Sequence, residues 1–173
     1  RSGFIRFPGG CTTEGINMEN SYRACKTIGP VEDRIGSYNL WGYRRTDGIG
    51  FHEFLQLSED LNADAMYVCN CGMSCQARKS EEGTDTQIAD ILQDTLNAIE
   101  YAIGDYKTTK WGSLRAKYGH PEPFPLKYVE IGNENSGGFY QKTYRIFYQR
   151  LKKEYPQLLY IINDASGMDD SEY

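Results

Sequence analysis

Residues 127–135 read KYVEIGNEN. An apolar-rich run closes on a glycine, an asparagine and a glutamate just before SGG, and residues 126–134 are read as a strand that ends in polar side chains. Side chains alternate along a strand, so Glu130, Gly132 and Glu134 share one face while Val129, Ile131 and Asn133 share the other. With a rise of about 3.3 Å per residue, the Glu130 and Glu134 Cα atoms lie roughly 13 Å apart, too far to work as a pair on one small substrate. Glu130 sits deeper and Glu134 at the strand end. A rim carboxylate walled by aromatic and apolar side chains would have its charged form disfavoured, which brings its pKa towards the range a general acid needs. Asn133, where strand gives way to loop, is free of strict alternation and can offer amide donors to a hydroxyl. The plainer alternative for Glu134 is a solvated residue or the partner of a nearby Lys or Arg.

Upstream and downstream of this run, short apolar segments alternate with longer ones of helical period. FIRFP at 4–8 predicts a strand stopped by Pro8-Gly9-Gly10, and FHEFLQLSEDL at 51–61 predicts a helix burying Phe51, Phe54, Leu55 and Leu61. A buried strand follows at 63–72. Asp85 is the expected cap of a helix over 86–103, whose Ile88, Ile91, Leu92, Thr95, Ile99, Ala102 and Ile103 keep the 3.6-residue period. After Gly137-Gly138, the stripe Tyr140, Tyr144, Phe147, Tyr148, Leu151 and Tyr155 predicts another helix, ended by Pro156, and LLYIIN at 158–163 a last strand. These stripes read as helix-to-sheet packing. Strands joined by helical crossovers form a parallel sheet. A doubly wound sheet and a (β/α)8 barrel share this order. The absence of a GxGxxG turn, together with polar residues at several strand ends, favours the barrel.

The chain has 173 residues, a net charge of −5, fourteen Tyr and two Trp. That size suits one domain, the acidic balance supplies no footprint for nucleic acid, and no apolar run approaches the roughly 20 residues of a membrane span. The start RSGFIRFPGG lacks the regions of a signal peptide. Five cysteines stand at 11, 25, 69, 71 and 75, and CNCGMSC lacks the paired spacing of a structural zinc site; a Cys71–Cys75 disulfide is left open. With two histidines, neither near that cluster, no metal is expected. His52 and His120 read as structural.

The motifs IRFPGGC (5–11), TIGP (27–30), TDGIGFHEFLQL (46–57) and HPEPFPLKYVEIGNEN (120–135) occur in an order and spacing that resembles the family 51 glycoside hydrolases, the α-L-arabinofuranosidases. The resemblance runs from Phe4 to about Asn163. It implies a partial (β/α)8 barrel, with strands at 4–8, 65–71, 126–132 and 158–163 as barrel strands two to five. It also implies that Glu134 is the general acid/base and Asn133 the partner of the sugar's 2-hydroxyl. Arg6 then supports the nucleophile, Cys11 contacts the sugar, Trp41 lines the pocket, and Asn70 is a further candidate for the same rim. From the residues alone, Arg6 has the alternative of an ion pair with Glu130, Cys11 of a small buried filler, and Trp41 of packing under a loop. The family's Trp before TIGP is replaced here by Arg23-Ala24-Cys25, and its Arg-Pro by Arg34-Ile35.

A retaining glycosidase needs a second carboxylate about 5–5.5 Å from the first. In the resembled family it comes from strand seven. Glu172 is read as a solvated terminal residue, because a parallel crossover needs at least about 10–12 residues before the next strand. The expectation is therefore that residues 1–173 are an incomplete catalytic barrel, lacking the first strand and strands six to eight, and inactive alone. It would act with the remainder of the barrel on arabinofuranosyl-containing oligo- or polysaccharide, with no cofactor, and with exposed sheet edges that favour self-association. The expected compartment of the parent is periplasmic or secreted, with cytoplasmic as the alternative. The rival reading is a noncatalytic carbohydrate-binding or structural half-barrel module.

Overall fold

The computed structural model describes residues 3–163, and Glu172 with its neighbours lies outside them. In chain order the elements are β1 (Phe4–Phe7), α1 (Gly10–Glu14), β2 (Ser37–Tyr38), β3 (Arg44–Arg45), α2 (Phe51–Asp60), β4 (Asp64–Cys69), α3 (Asp85–Ile103), α4 (Lys110–Lys117), β5 (Leu126–Ile131), α5 (Gly137–Glu154) and β6 (Leu159–Ile161). Short 3-10 turns at Met18–Asn20, Ala24–Thr27 and Val31–Asp33 fill the long connection after α1. That connection, for which the sequence reading offers no element, also holds the antiparallel β2–β3 hairpin. Elements of two to four residues are too short to show a period.

Leu61, expected on the buried face of the helix at 51–61, lies just past α2 and is exposed, but most of the other stripe residues are buried. In α3 these are Ile88, Ile91, Leu92, Thr95, Ile99 and Ala102, and in α5 Tyr140, Tyr144, Phe147 and Leu151. Asp85 is not the cap of α3. Thr84 is, because its hydroxyl accepts from Gln87 N while the Gln87 side chain accepts from Thr84 N, the reciprocal pairing of a T-x-x-Q capping box. Helix α4 has no counterpart among the expected elements, since KWGSLRAK buries only Gly112 and Arg115. The fully buried Arg115 guanidinium donates to the carbonyls of Tyr101, Gly104, His120 and Pro121. It thereby satisfies two backbone acceptors left over at the C-terminal end of α3 and two in the loop after α4.

The main sheet is wholly parallel, in the order β1-β4-β5-β6. Strand order follows chain order without reversal, so no topological switch point arises of the kind a doubly wound sheet uses. Register places Arg6 beside Met66, Met66 beside Tyr128, and Glu130 between Val68 and Ile161. Parallel neighbours in register share a face. The other face carries Ala65, Tyr67, Cys69, Val129 and Ile131, which join the buried residues of α2, α3 and α5 in one core. Helices thus cover one side, and the side bearing Arg6 and Glu130 opens on a cavity of about 650 Å³. No helix among the described residues is long and apolar enough to cross a membrane.

Candidate active site

The site is built where β5 ends. Gly132 takes φ +88°, and a Cβ at this position would lie 2.7 Å from Asn135 Oδ1 and 2.8 Å from Tyr140 Cε2, so only glycine lets the chain turn here. The turn breaks strand alternation. Asn133, which a continued strand would point at the helices, instead places its Oδ1 2.9 Å from Arg6 Nη2 on the cavity side. Glu134 follows with φ +52°, a left-handed conformation that few non-glycine residues adopt and that accumulates at functional sites.

Three segments converge beneath Glu134. From β1, Arg6 donates through Nε to Glu130 Oε2 and through Nη2 to Glu130 Oε1, both at 2.6 Å. This two-pronged pairing raises the Arg6 pKa above its ordinary value against the opposing effect of burial. The sequence alternative of an Arg6–Glu130 pair is what the geometry contains, and Asn133 is added to it. From α1, Glu14 accepts from Asn133 Nδ2 at 3.1 Å and from Asn135 Nδ2 at 2.7 Å. Asn135 Oδ1 in turn accepts from Asn133 N at 2.9 Å. Each Asn amide is therefore anchored at both ends, and neither can flip without losing a partner.

Glu14 was not among the expected site residues. It is 2% exposed, and burial pushes its carboxyl up to about 7; the two amide donors oppose this, and the neighbouring charge of Glu134 adds to it. The available signal was its spacing from Cys11, since positions i and i+3 of a short helix share a face. Cys11 Sγ lies 3.9 Å from Glu134 Oε2. Its thiol is pushed up to about 12, by burial first and then by Cys75, Glu14 and Glu134, which keeps it neutral near pH 7.

The structure brings Arg6, Cys11, Asn133 and Glu134 together and places the other candidates apart. Asn70 is buried, with its amide spent on the loop after β4: Nδ2 donates to Thr13 O and Met73 O, and Oδ1 accepts from Gly72 N and Met73 N. Trp41 stands 60% exposed in the β2–β3 turn, its ring centroid 5.9 Å from the Arg78 guanidinium carbon. It is not part of the cavity lining, although Asn39 ties the same hairpin to Thr12 beside Cys11. The expected apolar wall does not close around Glu134 among the described residues. Its side chain is exposed, because it stands past the strand end on a backbone that turns it out between two openings. The larger is lined by Phe4, Arg6, Glu130, Asn133 and Ile161 among others, and the smaller, of about 290 Å³, by Glu14, Cys75, Gln76 and Ser136. His52 bonds Tyr101 Oη at 2.7 Å, and His120 stacks on Phe124 with Nε2 2.8 Å from Glu59, both away from this site.

All five cysteines are free thiols. Cys71 bonds Thr143 at 3.2 Å rather than Cys75, while Cys75 sits with Cys11 and Glu14. Among the described residues, those three form the group whose donor atoms lie close enough together to hold a metal ion.

Comparison with known proteins gives a consistent result. The family profile described as "Alpha-L-arabinofuranosidase 1 domain" matches residues 1–172. Alpha-L-arabinofuranosidase 1 of Arabidopsis thaliana is 44% identical over 162 residues, which cover 92% of this chain and 23% of the relative. The extracellular exo-alpha-L-arabinofuranosidase of Streptomyces chartreusis is 35% identical over 181 residues, covering 98% of this chain and 22% of that protein. Among solved structures, arabinose-bound MgGH51 α-L-arabinofuranosidase superposes with a TM-score of 0.84 at 34% identity, over 92% of this chain and 25% of that one. The chain thus spans about a quarter of the length of these relatives. Matched along nearly its whole length, it belongs to the α-L-arabinofuranosidase 1 domain family, that of the family 51 glycoside hydrolases.

Proposed function

We propose that this chain is the acid/base-bearing part of the catalytic (β/α)8 barrel of a retaining α-L-arabinofuranosidase, with β1, β4, β5 and β6 as barrel strands two to five. The chain-ordered parallel sheet, with helices on one face and polar residues gathered at the C-terminal strand ends, supports this reading. So do the exposed Phe4 and Leu159 on the two outer strands, which the remaining barrel strands would cover. The observation that carries the proposal is Glu134 at the end of β5, beside an Asn133 locked by Arg6 and Glu14.

In this mechanism Glu134, protonated, gives its proton to the glycosidic oxygen. A second carboxylate from outside this chain meanwhile attacks the anomeric carbon of a terminal arabinofuranosyl residue and forms a covalent glycosyl-enzyme. Glu134, now ionised, takes a proton from a water whose oxygen bonds the anomeric carbon, which displaces the second carboxylate and releases arabinose with retained configuration. Two carboxylates suffice for these steps, so neither a metal nor an organic cofactor takes part. Asn133 donates its remaining N–H hydrogen to the sugar, and Cys11 contacts the ring from the α1 side. Arg6 positions Asn133 and neutralises Glu130. Asn70 acts through the loop it holds, and Trp41 offers an aromatic face to a more distant sugar unit. The substrate class is an arabinose-containing polysaccharide. The name of the Streptomyces relative supports a secreted parent.

The test is Glu134→Gln in the full-length protein. Removing a general acid slows substrates with poor leaving groups by about 10²–10⁴-fold, while activated aryl arabinofuranosides retain most of their first-step rate. Near-normal hydrolysis of poor-leaving-group arabinosides would reject the assignment.

A further inference from the structure

We propose that Cys11, Glu14 and Cys75 form a binding site for a thiophilic divalent cation of the zinc class, set at the rim beside Glu134. One donor atom from each of the three lies within 4.8 Å of the other two. A tetrahedral site with bonds of about 2.0–2.3 Å has edges of about 3.3–3.8 Å, so closure onto an ion needs an inward movement of roughly 1 Å. The sequence hid this group by placing Cys75 in a run with Cys69 and Cys71. Those two thiols face the core, and the loop after β4 carries Cys75 to α1 instead.

The site is held in place from outside. Cys75 N donates to Gly15 O at 3.1 Å, and Asn70 Nδ2 to Thr13 O at 3.2 Å, so the two segments that supply the ligands are tied together on both sides. Glu14 and Cys75 are 2% and 3% exposed, and Cys11 is partly open, which gives an ion a way in. The Glu14 carboxylate is oriented by the Asn133 and Asn135 amides, the arrangement that steadies a metal-bound carboxylate, and each oxygen keeps a lone pair. Glu134, 3.9 Å from Cys11 Sγ, is in reach as a fourth ligand. The adjoining opening is lined by Glu14, Cys75, Gln76, Ala77, Glu134 and Ser136, with no cationic side chain to compete. Two sulfurs and one or two carboxylate oxygens suit zinc, whereas calcium and magnesium prefer sites made wholly of oxygen. Binding exchanges the two thiol protons for the ion, with no change of oxidation state.

An ion held here covers Cys11 and draws Glu134 into its coordination, so in the parent enzyme it inhibits. That consequence rests on the acid/base reading of Glu134; the binding itself does not. The experiment is titration of this chain with Zn²⁺ in competition with a chromophoric chelator, and with Co²⁺ followed by absorbance. The expected result is one equivalent of Zn²⁺ and a near-ultraviolet thiolate-to-cobalt charge-transfer band. Cys11→Ser and Cys75→Ser should each weaken binding about a hundredfold or more, while Cys25→Ser leaves it intact. No uptake by the unmodified chain, or equal uptake by the Cys11 and Cys75 variants, overturns the site. Cys11 is partly exposed, so its variant keeps the test decisive if Cys75→Ser fails to fold. In the full-length enzyme, Zn²⁺ inhibition reversed by chelator and absent in Cys75→Ser reports on the link to Glu134. Failure of that link with Zn²⁺ still bound would count against the role of Glu134 and not against the site.

Discussion

The Arg6–Glu130 pair permits a quantitative test of how the open face is held. Glu130 is 8% exposed, while the Arg6 side chain is 36% exposed. Replacing Arg6 with Met strips two charge-assisted hydrogen bonds from a nearly buried carboxylate. Removing one partner of a fully buried pair costs about 3–5 kcal/mol, and because water already reaches the guanidinium the expectation falls to roughly 2–3 kcal/mol. Glu130→Leu leaves an arginine that can turn to solvent, and costs about 1 kcal/mol. The double variant adds apolar surface beside Val68 and Ile161, the register neighbours of Glu130, and should resemble Glu130→Leu alone. The expected coupling is therefore roughly 2–3 kcal/mol. Loss of the Arg6–Asn133 contact occurs in both variants that lack Arg6, so it cancels in the cycle. The assay is urea unfolding followed by circular dichroism; with a slope of about 2 kcal/mol per molar, Arg6→Met lowers the midpoint by about 1–1.5 M. Single-variant costs that add to within about 0.5 kcal/mol would show that the pair is not coupled, and would refute the reasoning.

Two further outcomes follow from the same packing. Gly132→Ala should destabilise by about 2–5 kcal/mol, from a positive φ together with two sub-van-der-Waals approaches, and a loss under 1 kcal/mol in urea unfolding would show that the turn can relax. Asp94 accepts from Ala24 N and Cys25 N, and burial raises its pKa against the opposing charge of Arg23. The folded chain then holds a proton that the unfolded chain has released, so this contribution is fully present below the ordinary Asp value of about 4 and is lost as pH rises through the folded pKa. Asp94→Asn removes that slope, and parallel stability profiles for the two proteins between pH 4 and pH 7 would contradict it.

Much of the scaffold was legible because its signals are local. The stripes of α3 and α5 and the apolar alternation of β5 are repeated every few residues, and burial of those stripes is what forms the elements. Helix α4 escaped because its one fully buried large side chain is an arginine satisfied by four carbonyls, and Trp111 and Leu114, only partly buried, are too few to show an apolar period. The cap of α3 was misplaced by one residue, although the T-x-x-Q pattern was present to locate it.

The amino-acid order by itself determined the parallel alternation of strands and helices, the apolar run of β5, and the presence of Glu134 close behind it. Only the tertiary structure decided that Asn133 turns to Arg6 and Glu14, that Glu134 stands exposed, and that Cys75 leaves its sequence neighbours for Cys11. The physical reason is separation along the chain. Asn133 and Glu14 are 119 positions apart, and Arg6 and Glu130 are 124 apart. Such contacts are set by the register of stacked parallel strands and the turns that leave them, which no local period encodes.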